Sequence, residues 1–339
     1  MRGADIVPPS DEIIRGFREH AMRVVFRALF AMSLAAPLAA QETPAELTPP
    51  SSWSEPAEPV RIVGPIYFVG TKGLAAYLLT TPKGHILLDG ALPGSAKDIE
   101  ASIRKLGFNP EEIRLLLITH AHIDHAGTTA YFKKLAKAKA AVMDRDYIAL
   151  ASGGRTDFQY GGKPAFYFPP VKADKELTDG QTVKLGNITM TARLGAGHTR
   201  GATTWITTVE DGGRKYNVVF PCCTSINPGY RLTVDPSYAG IADDYRRTLG
   251  MLESLQPDIW LPAHTDVFDF EAKRARSASE GAQAWVDPDG YRRWVAEGRK
   301  TFEAVVAAEQ KGAGPGVAPP RSSPEARRML RSEASASKS

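Results

Sequence analysis

The sequence predicts an α/β domain in which helices cover β-sheets and a functional site lies at the carboxyl ends of strands. Short apolar segments alternate with segments of helical periodicity in two successive series along the chain. Five of the seven histidines come shortly after apolar segments. Hydrophobic residues make up 43% and charged residues 24% of the 339 positions, so a sizeable core is expected.

The first series of elements leads to the richest cluster of polar residues. Strands are predicted at 61–69, 75–81 and 85–88, separated by Gly and Pro turns. A helix is predicted from Ser95, with Asp98 three places later, to Gly107. A strand at 113–118 and a helix at 128–138 follow.

The second series begins after a long loop. Residues 152–170 are rich in glycine and aromatic residues, a composition typical of an active-site flap. The elements predicted after the flap are strands at 183–185, 188–194, 203–209, 215–220 and 258–261 and helices at 242–255, 271–284 and 291–310.

The amino-terminal segment has the layout of a secretory leader. We interpret residues 1–40 as a leader with a signal peptide and Met22 as a candidate true start, because two arginines precede an apolar run ending in small residues. That run is too short for a membrane anchor, so no span is expected in the mature chain. No cysteine ends the leader to accept a lipid. A periplasmic or secreted protein is therefore expected.

The remaining boundaries follow from composition. Residues 41–59 are predicted to be a flexible linker, 60–310 the folded domain and 311–339 a disordered tail. The formal charge of +4 is small for this length, and basic residues form no stripe interleaved with aromatic residues. This excludes a nucleic-acid partner. The sequence leaves the oligomeric state open.

The segment Thr119–Gly127, T-H-A-H-I-D-H-A-G, contains three histidines and an aspartate directly after an apolar strand. Imidazole and carboxylate groups are ligands that zinc accepts. His120 and His122 alternate, so they point the same way on an extended segment, while Asp124 and His125 lie beyond it. His198 and His264 follow later strands. The donors exceed what one tetrahedral zinc accepts and suit two.

These motifs, H-x-H-x-D-H-x-G, G-H-T-x-G and a later isolated histidine, resemble those of the metallo-β-lactamase superfamily of binuclear hydrolases over roughly residues 60–310. The resemblance implies a four-layer αββα sandwich with the site between the two sheets. It also implies two zinc ions per chain, which share a hydroxide nucleophile oriented by Asp124. The first ion would be held by His120, His122 and His198, and the second by Asp124, His125 and His264.

Two further segments indicate which group of enzymes within the superfamily this sequence resembles. Superfamily thioesterases and lactonases carry a metal-bridging aspartate after the strand that follows G-H-T-x-G, but residues 221–230, P-C-C-T-S-I-N-P-G-Y, contain none. This segment and D-F-Q-Y-G-G-K at 157–163 resemble class B β-lactamases of the third subclass. The implied function is β-lactam hydrolysis and antibiotic resistance. The alternatives are a hydrolase of another lactone, ester or thioester, or an exported zinc-binding protein without turnover.

Substrate contacts are predicted from the same two segments. Thr224 and Ser225 are candidates for binding the substrate carboxylate, and Tyr230 for donating to the developing oxyanion. Phe158 and Tyr160 either pack on apolar groups of the β-lactam or hold the flap down. The alternative for the hydroxyl residues is that they only form the turn, which is common for these residue types.

Cys222 and Cys223 are the only cysteines. Adjacent Cα atoms lie about 3.8 Å apart, below the usual disulfide range of about 4.4–6.8 Å, so no bridge is expected between them. Cys223 falls near the position where another lactamase subclass has a zinc-binding cysteine. Because His125 already completes the second ligand set, Cys223 is expected to be a buried neighbour rather than a ligand.

Overall fold

The computed structural model describes residues 49–312, and these form two β-sheets packed face to face with helices outside them. The predicted leader, residues 41–48 of the predicted linker and nearly all of the predicted tail lie outside the described residues. Over the described part, the predicted αββα sandwich is confirmed.

The first sheet has seven strands in sequential order, β1 to β7. Strands β1 to β4 pair antiparallel, and β4 to β7 pair parallel. Their bounds are Val60–Val63, Ile66–Phe68, Tyr77–Thr81, Gly84–Leu88, Ile113–Leu117, Lys139–Met143 and Lys175–Leu177. The parallel half places the carboxyl ends of β4, β5 and β6 at one edge of the sandwich.

The second sheet has the order β12-β11-β10-β9-β8. It is antiparallel except where β11 pairs with β12. The strands β8 to β12 are Thr182–Leu185, Ile188–Leu194, Thr203–Asp211, Arg214–Phe220 and Ile259–Trp260. Between the sheets lies one apolar cluster, which includes Phe68 and Tyr77 from the first sheet and Met190 and Trp205 from the second.

Helices cover the outer faces. The helices α1 to α7 are Ala96–Lys105, Ile123–Ala126, Thr129–Ala136, Asp144–Ser152, Ile241–Ser254, Phe270–Glu280 and Pro288–Gln310. A second apolar cluster joins the first sheet to α1 and α3 through residues such as Ile99, Ile103 and Phe132. A third cluster joins α5 and α7 to the segment 226–241 through Tyr230, Tyr245 and Phe302.

Some element predictions were wrong in detail. The predicted strand 61–69 is two strands, because Gly64 adopts a left-handed φ of +50° and Pro65 follows it. The predicted helix 128–138 ends early, at Ala136, where Lys137 takes a φ of +51° and the chain enters β6. Strands β6 and β7 and helices α2 and α4 were not predicted.

The packed region begins before the predicted boundary at residue 60. Residues Ser51–Trp53 form a 3₁₀ turn, and the Trp53 ring lies 5.2 Å from the His264 ring. The backbone of Lys72 also donates to Glu55. Composition predicted a linker here because Pro, Ser and Glu dominate it, whereas a single aromatic anchor and backbone pairing order its end. No helix in the segment 49–312 is long and apolar enough to cross a membrane.

Candidate metal centre

Three loops and the short helix α2 bring the predicted metal ligands together. His120 and His122 lie in the loop between β5 and α2, and Asp124 and His125 lie on α2. His198 lies in the loop between β9 and β10. His264 follows β12, and its backbone pairs with Leu74 in the segment between β2 and β3. The site therefore lies between the two sheets at the edge to which these strands lead.

The three histidines of the predicted first set face one another. The ring centroids of His120 and His122 are 4.7 Å apart, those of His120 and His198 also 4.7 Å, and those of His122 and His198 4.9 Å. All three side chains are buried. This arrangement matches a three-histidine ligand set that leaves a fourth position open.

The predicted second set lies beside the first. The Asp124 carboxylate oxygen Oδ2 is 3.1 Å from His125 Nε2 and 3.5 Å from His264 Nε2. The His120 and His125 ring centroids are only 4.1 Å apart, so the two sets adjoin. Asp124 and His264 are the members that are partly exposed, and they mark the side of the site open to solvent.

An aspartate that sequence reasoning missed orients His125. Asp89 follows β4, is buried, and accepts hydrogen bonds from the backbone N–H and the hydroxyl of Thr119. Its Oδ2 atom lies 3.2 Å from His125 Nδ1, which leaves Nε2 to face Asp124. A carboxylate behind a ligand histidine fixes its tautomer and ring orientation. The sequence feature that could have identified Asp89 is its position, because it is an acidic residue directly after β4, the strand that pairs with β5.

His198 is held from the segment 221–230. Its Nδ1 atom lies 3.0 Å from the carbonyl oxygen of Ser225 and 3.2 Å from the Ser225 hydroxyl. The buried Tyr230 hydroxyl donates to the His198 carbonyl at 2.6 Å. The phenol proton of Tyr230 is thus engaged with the backbone, so this geometry favours a positioning role over the predicted oxyanion donation. Ser225 is partly exposed beside His198, where a substrate group can reach it.

The predicted flap packs against the histidines. The Tyr160 ring lies 5.2 Å from that of His122, and its hydroxyl accepts a hydrogen bond from the Asn227 side chain. Phe158 packs against Tyr230 and Tyr238. Both contacts match the second predicted role of these aromatic residues, which is to hold the flap down. Thr224 is half-buried and lies against α7 at Gly298, where an added Cβ would come within 2.5 Å of it.

Another flap residue, Asp157, was not predicted as a site residue. Its carboxylate accepts hydrogen bonds from the backbone N–H groups of Gln159 and Tyr160. Its Oδ2 atom lies 3.4 Å from His122 Nε2, close enough for electrostatic attraction but not aligned as a hydrogen bond. Burial alone would raise the pKa of Asp157, but His122 and the backbone donors hold this pKa below its usual value.

The expectation that Cys222 and Cys223 remain unbridged was wrong. The structure joins them by a disulfide, with the Cα atoms 3.6 Å apart. The separation lies below the usual range, and Cys223 adopts a left-handed φ of +37° at this bridge. The Sγ atom of Cys223 lies near His120 and His198. A disulfide sulfur is not a thiolate, so Cys223 is a neighbour of the metal centre in this form.

The local electrostatics keep most of the donors in a metal-binding state. Burial, reinforced by the neighbouring histidines, holds the pKa of His120 well below its usual value and lowers the pKa of His198 to about 3. Burial opposes the charge on Asp124 and His125, yet their mutual attraction lowers the pKa of Asp124 and raises the pKa of His125 to about 10. A cation between these two residues would take the place of that proton.

The residues present fit zinc. Two buried imidazole nitrogens, Nε2 of His120 and Nε2 of His122, have no hydrogen-bond partner among the described residues. Buried polar atoms seldom remain unpaired without a ligand or an ion. His120, Asp124 and His125 offer ligand atoms within 4.8 Å of one another. Five imidazoles and one carboxylate form the donor set typical of zinc rather than of magnesium or calcium.

Comparisons with known proteins agree with this geometry. The family model described as "Metallo-beta-lactamase superfamily" matches residues 72–264. The native metallo-β-lactamase FEZ-1 of Legionella gormanii is 39% identical, with a TM-score of 0.74 over 76% of this chain and 98% of that one. The class B3 di-zinc metallo-β-lactamase LRA-12 from an Alaskan soil metagenome is 32% identical, with a TM-score of 0.73 over 76% of this chain and 97% of that one.

A curated relative is similar over a shorter stretch. The uncharacterized protein YobT of Bacillus subtilis is 30% identical over 141 residues, which are 39% of this chain and 56% of YobT. The match thus spans just over half of that protein's length. The predicted resemblance to the third subclass of class B enzymes is confirmed by the class B3 structure above. With a family model that covers more than half of its residues, this chain belongs to the metallo-β-lactamase superfamily.

Proposed function

We propose that this protein is a zinc-dependent hydrolase of the β-lactam amide bond that confers β-lactam resistance. The observation that carries the proposal is the pair of adjoining three-residue donor sets with no carboxylate contributed by the segment 221–230. A bridging carboxylate would neutralise part of the metal charge. Its absence favours a substrate that carries its own carboxylate, as β-lactams do.

Two zinc ions bound to these sets would supply a water of lowered pKa and a Lewis acid for the amide carbonyl. The protein contributes the orientation of the reacting groups. Asp124 is partly exposed and lies between His125 and His264, so its carboxylate can accept a hydrogen bond from the attacking water. Asp89 fixes His125 from behind, and Ser225 and Tyr230 fix His198.

The substrate would enter from the side of Asp124 and His264. Ser225 is the better placed candidate for binding the β-lactam carboxylate, because its hydroxyl lies beside His198. The Thr224 side chain faces α7, so it would have to change its rotamer to contact the substrate. Tyr160 covers His122 and bounds the site on the flap side.

A panel of substrates tests the reaction class. Purified zinc-loaded protein is offered a penicillin, a cephalosporin and a carbapenem beside an acyl-homoserine lactone and a glutathione thioester. We expect turnover of at least one β-lactam and resistance of the reaction to clavulanate, since no serine nucleophile takes part. Turnover of the lactone or thioester with no β-lactam hydrolysed would replace the proposal with the alternative hydrolase.

We further propose that the protein is exported to the periplasm, on the basis of the leader-like residues 22–40. Expression of the full chain in a Gram-negative host followed by fractionation tests this proposal. We expect processed protein in the periplasmic fraction, with an amino terminus at or near Gln41. Unprocessed protein confined to the cytoplasm would contradict it.

A further inference from the structure

Helix α4, which lies outside the two ligand sets, contains a buried aspartate that contacts two of the ligand loops. Asp146 has only 1% of its surface exposed and is the third residue of α4, which begins directly after β6. One oxygen, Oδ2, accepts from the backbone N–H of Ala121 at 3.0 Å and from the Thr199 hydroxyl at 2.7 Å. The other oxygen, Oδ1, accepts from the Gly201 N–H at 2.7 Å.

These three donors come from both sides of the first ligand set. Ala121 stands between His120 and His122, and Thr199 directly follows His198. The Asp146 carboxylate thus joins the two ligand loops by hydrogen bonds. Its partners Ala121 and Thr199 are immediate sequence neighbours of the three histidines. A carboxylate accepting charge-assisted hydrogen bonds in a buried site holds its donors more firmly than neutral acceptors do.

The backbone on one side approaches Asp146 very closely. An added Cβ at Gly201 would come within 2.3 Å of the Asp146 backbone nitrogen and 2.8 Å of its Cβ atom. Glycine at this position therefore allows the 198–201 loop to sit directly against α4. The close approach and the three hydrogen bonds are independent observations of the same contact.

We propose that Asp146 is a positioning residue for the first metal site. It fixes the distance between the 119–122 loop and the 198–201 loop, and thereby the mutual spacing of the His120, His122 and His198 rings. Asp89 has the corresponding role for His125 in the second set, and Asp146 makes no contact of this kind with Asp124 or His264 in the described hydrogen bonds. The proposal rests on the proposed zinc centre.

The test measures zinc affinity one site at a time by competition with a chromophoric chelator. His264→Ala leaves the first set complete, and His198→Ala leaves the second set complete. Loss of a residue that orients metal ligands lowers metal affinity by about 10–100-fold. We expect Asp146→Asn to lower affinity by that factor in the His264→Ala background and by less than about threefold in the His198→Ala background, because its donors flank only the first set.

Matched variants separate positioning from folding. Asp144→Asn, an exposed acid on the same helix, should leave both affinities unchanged. Thr199→Val should weaken the first site, and Thr199→Ser, which restores the hydroxyl, should recover it. The thermal unfolding midpoint of each metal-free protein is recorded alongside. If Asp146→Asn does not fold without metal, the Thr199 pair decides the question.

The outcomes are distinguishable. Equal loss of affinity in both backgrounds, or unchanged affinity of the first site in folded Asp146→Asn, would overturn this inference alone. Equal affinities for Thr199→Val and Thr199→Ser would also overturn it. If the wild-type chain bound no zinc, the proposed zinc centre would fail and the inference with it.

Discussion

At the scale of single residues, we propose two roles for Asp124, as a metal ligand and as the group that orients the attacking water. It supplies the only carboxylate of the six donors and lies at the open side of the centre. Asp124→Asn preserves the volume but removes the charge that orients the attacking water. We expect a loss of about 100-fold or more in both kcat and kcat/KM, the scale of removing one key electrostatic group. Steady-state cephalosporin kinetics at saturating zinc measure this, and an unchanged kcat would contradict the assigned role.

The two cysteines give a residue-scale test of the ligand assignment. If Cys223 is only a disulfide-bonded neighbour, Cys223→Ser should retain two zinc ions and lose less than about tenfold in rate, under roughly 1.4 kcal/mol. Cys222→Ser breaks the same disulfide and should behave alike. Elemental analysis and kinetics compare the two variants. Loss of one zinc in Cys223→Ser alone, with both retained in His125→Ala, would make Cys223 the ligand.

The six proposed donors, which the structure brings together, could be selected from the sequence because each lies in a local motif at the end of an apolar segment. The residues that orient these donors could not be predicted from local motifs. Asp89 and Asp146 contact partners that are 25 or more residues away in sequence, and Asp157 contacts His122 from the flap. Asp89 and Asp146 each follow a parallel strand of the first sheet. Only the order of strands in that sheet reveals that both lie beside β5.

At the scale of elements, the carboxyl-terminal helix α7 supports the segment behind His198. Glu309 near its end is buried and accepts hydrogen bonds from the backbone of Leu232 and from the backbone and hydroxyl of Thr233. These residues come two and three positions after Tyr230, whose hydroxyl donates to the His198 carbonyl. Glu309 therefore links α7 to the metal centre through one short segment.

Replacement of Glu309 tests this link. Glu309→Gln leaves at least one backbone N–H facing an amide donor, so we expect a loss of about 1–3 kcal/mol in the free energy of unfolding. Urea unfolding of the zinc-loaded protein measures it. Glu297→Gln on the exposed face of α7 serves as the control and should change stability by less than about 0.5 kcal/mol. Equal effects of the two variants would remove the supporting role of Glu309.

Element boundaries were predictable where turn chemistry is local. Helix α1 begins after Ser95 and ends just before Gly107, as its apolar spacing and its terminal glycine predict. Helix α4 escaped prediction because its buried face includes Asp146, a polar residue that satisfies loops instead of completing an apolar stripe. Strand β7 is three residues long and gains its identity only from pairing with β6.

At the scale of the whole molecule, the stability should fall in mild acid. His85 is the second residue of β4 and is buried with both ring nitrogens lacking a hydrogen-bond partner among residues 49–312. Burial is the main reason that the pKa of His85 is lowered. The unfolded chain therefore binds a proton at a higher pH than the folded one. Stability is present above the unfolded pKa of about 6.5 and is lost as pH falls toward the folded pKa.

The variant His85→Gln removes this titrating group. We expect the difference in unfolding free energy between wild type and variant to shrink between pH 7 and pH 5, with a slope of at most about 1.4 kcal/mol per pH unit. Urea unfolding at stepped pH in excess zinc gives the two curves, and the zinc ligands are common to both. Parallel curves across this range would show that His85 does not contribute.

For the whole molecule, we propose that this sandwich hydrolyses β-lactams only through metal held by its six donors. The most direct measurement titrates zinc into metal-free protein while hydrolysis of a chromogenic cephalosporin is followed. We expect no turnover without metal, recovery on zinc addition with a plateau at two equivalents, and loss of activity on adding a chelator. Full turnover in metal-free protein, or none at any zinc concentration, would contradict it.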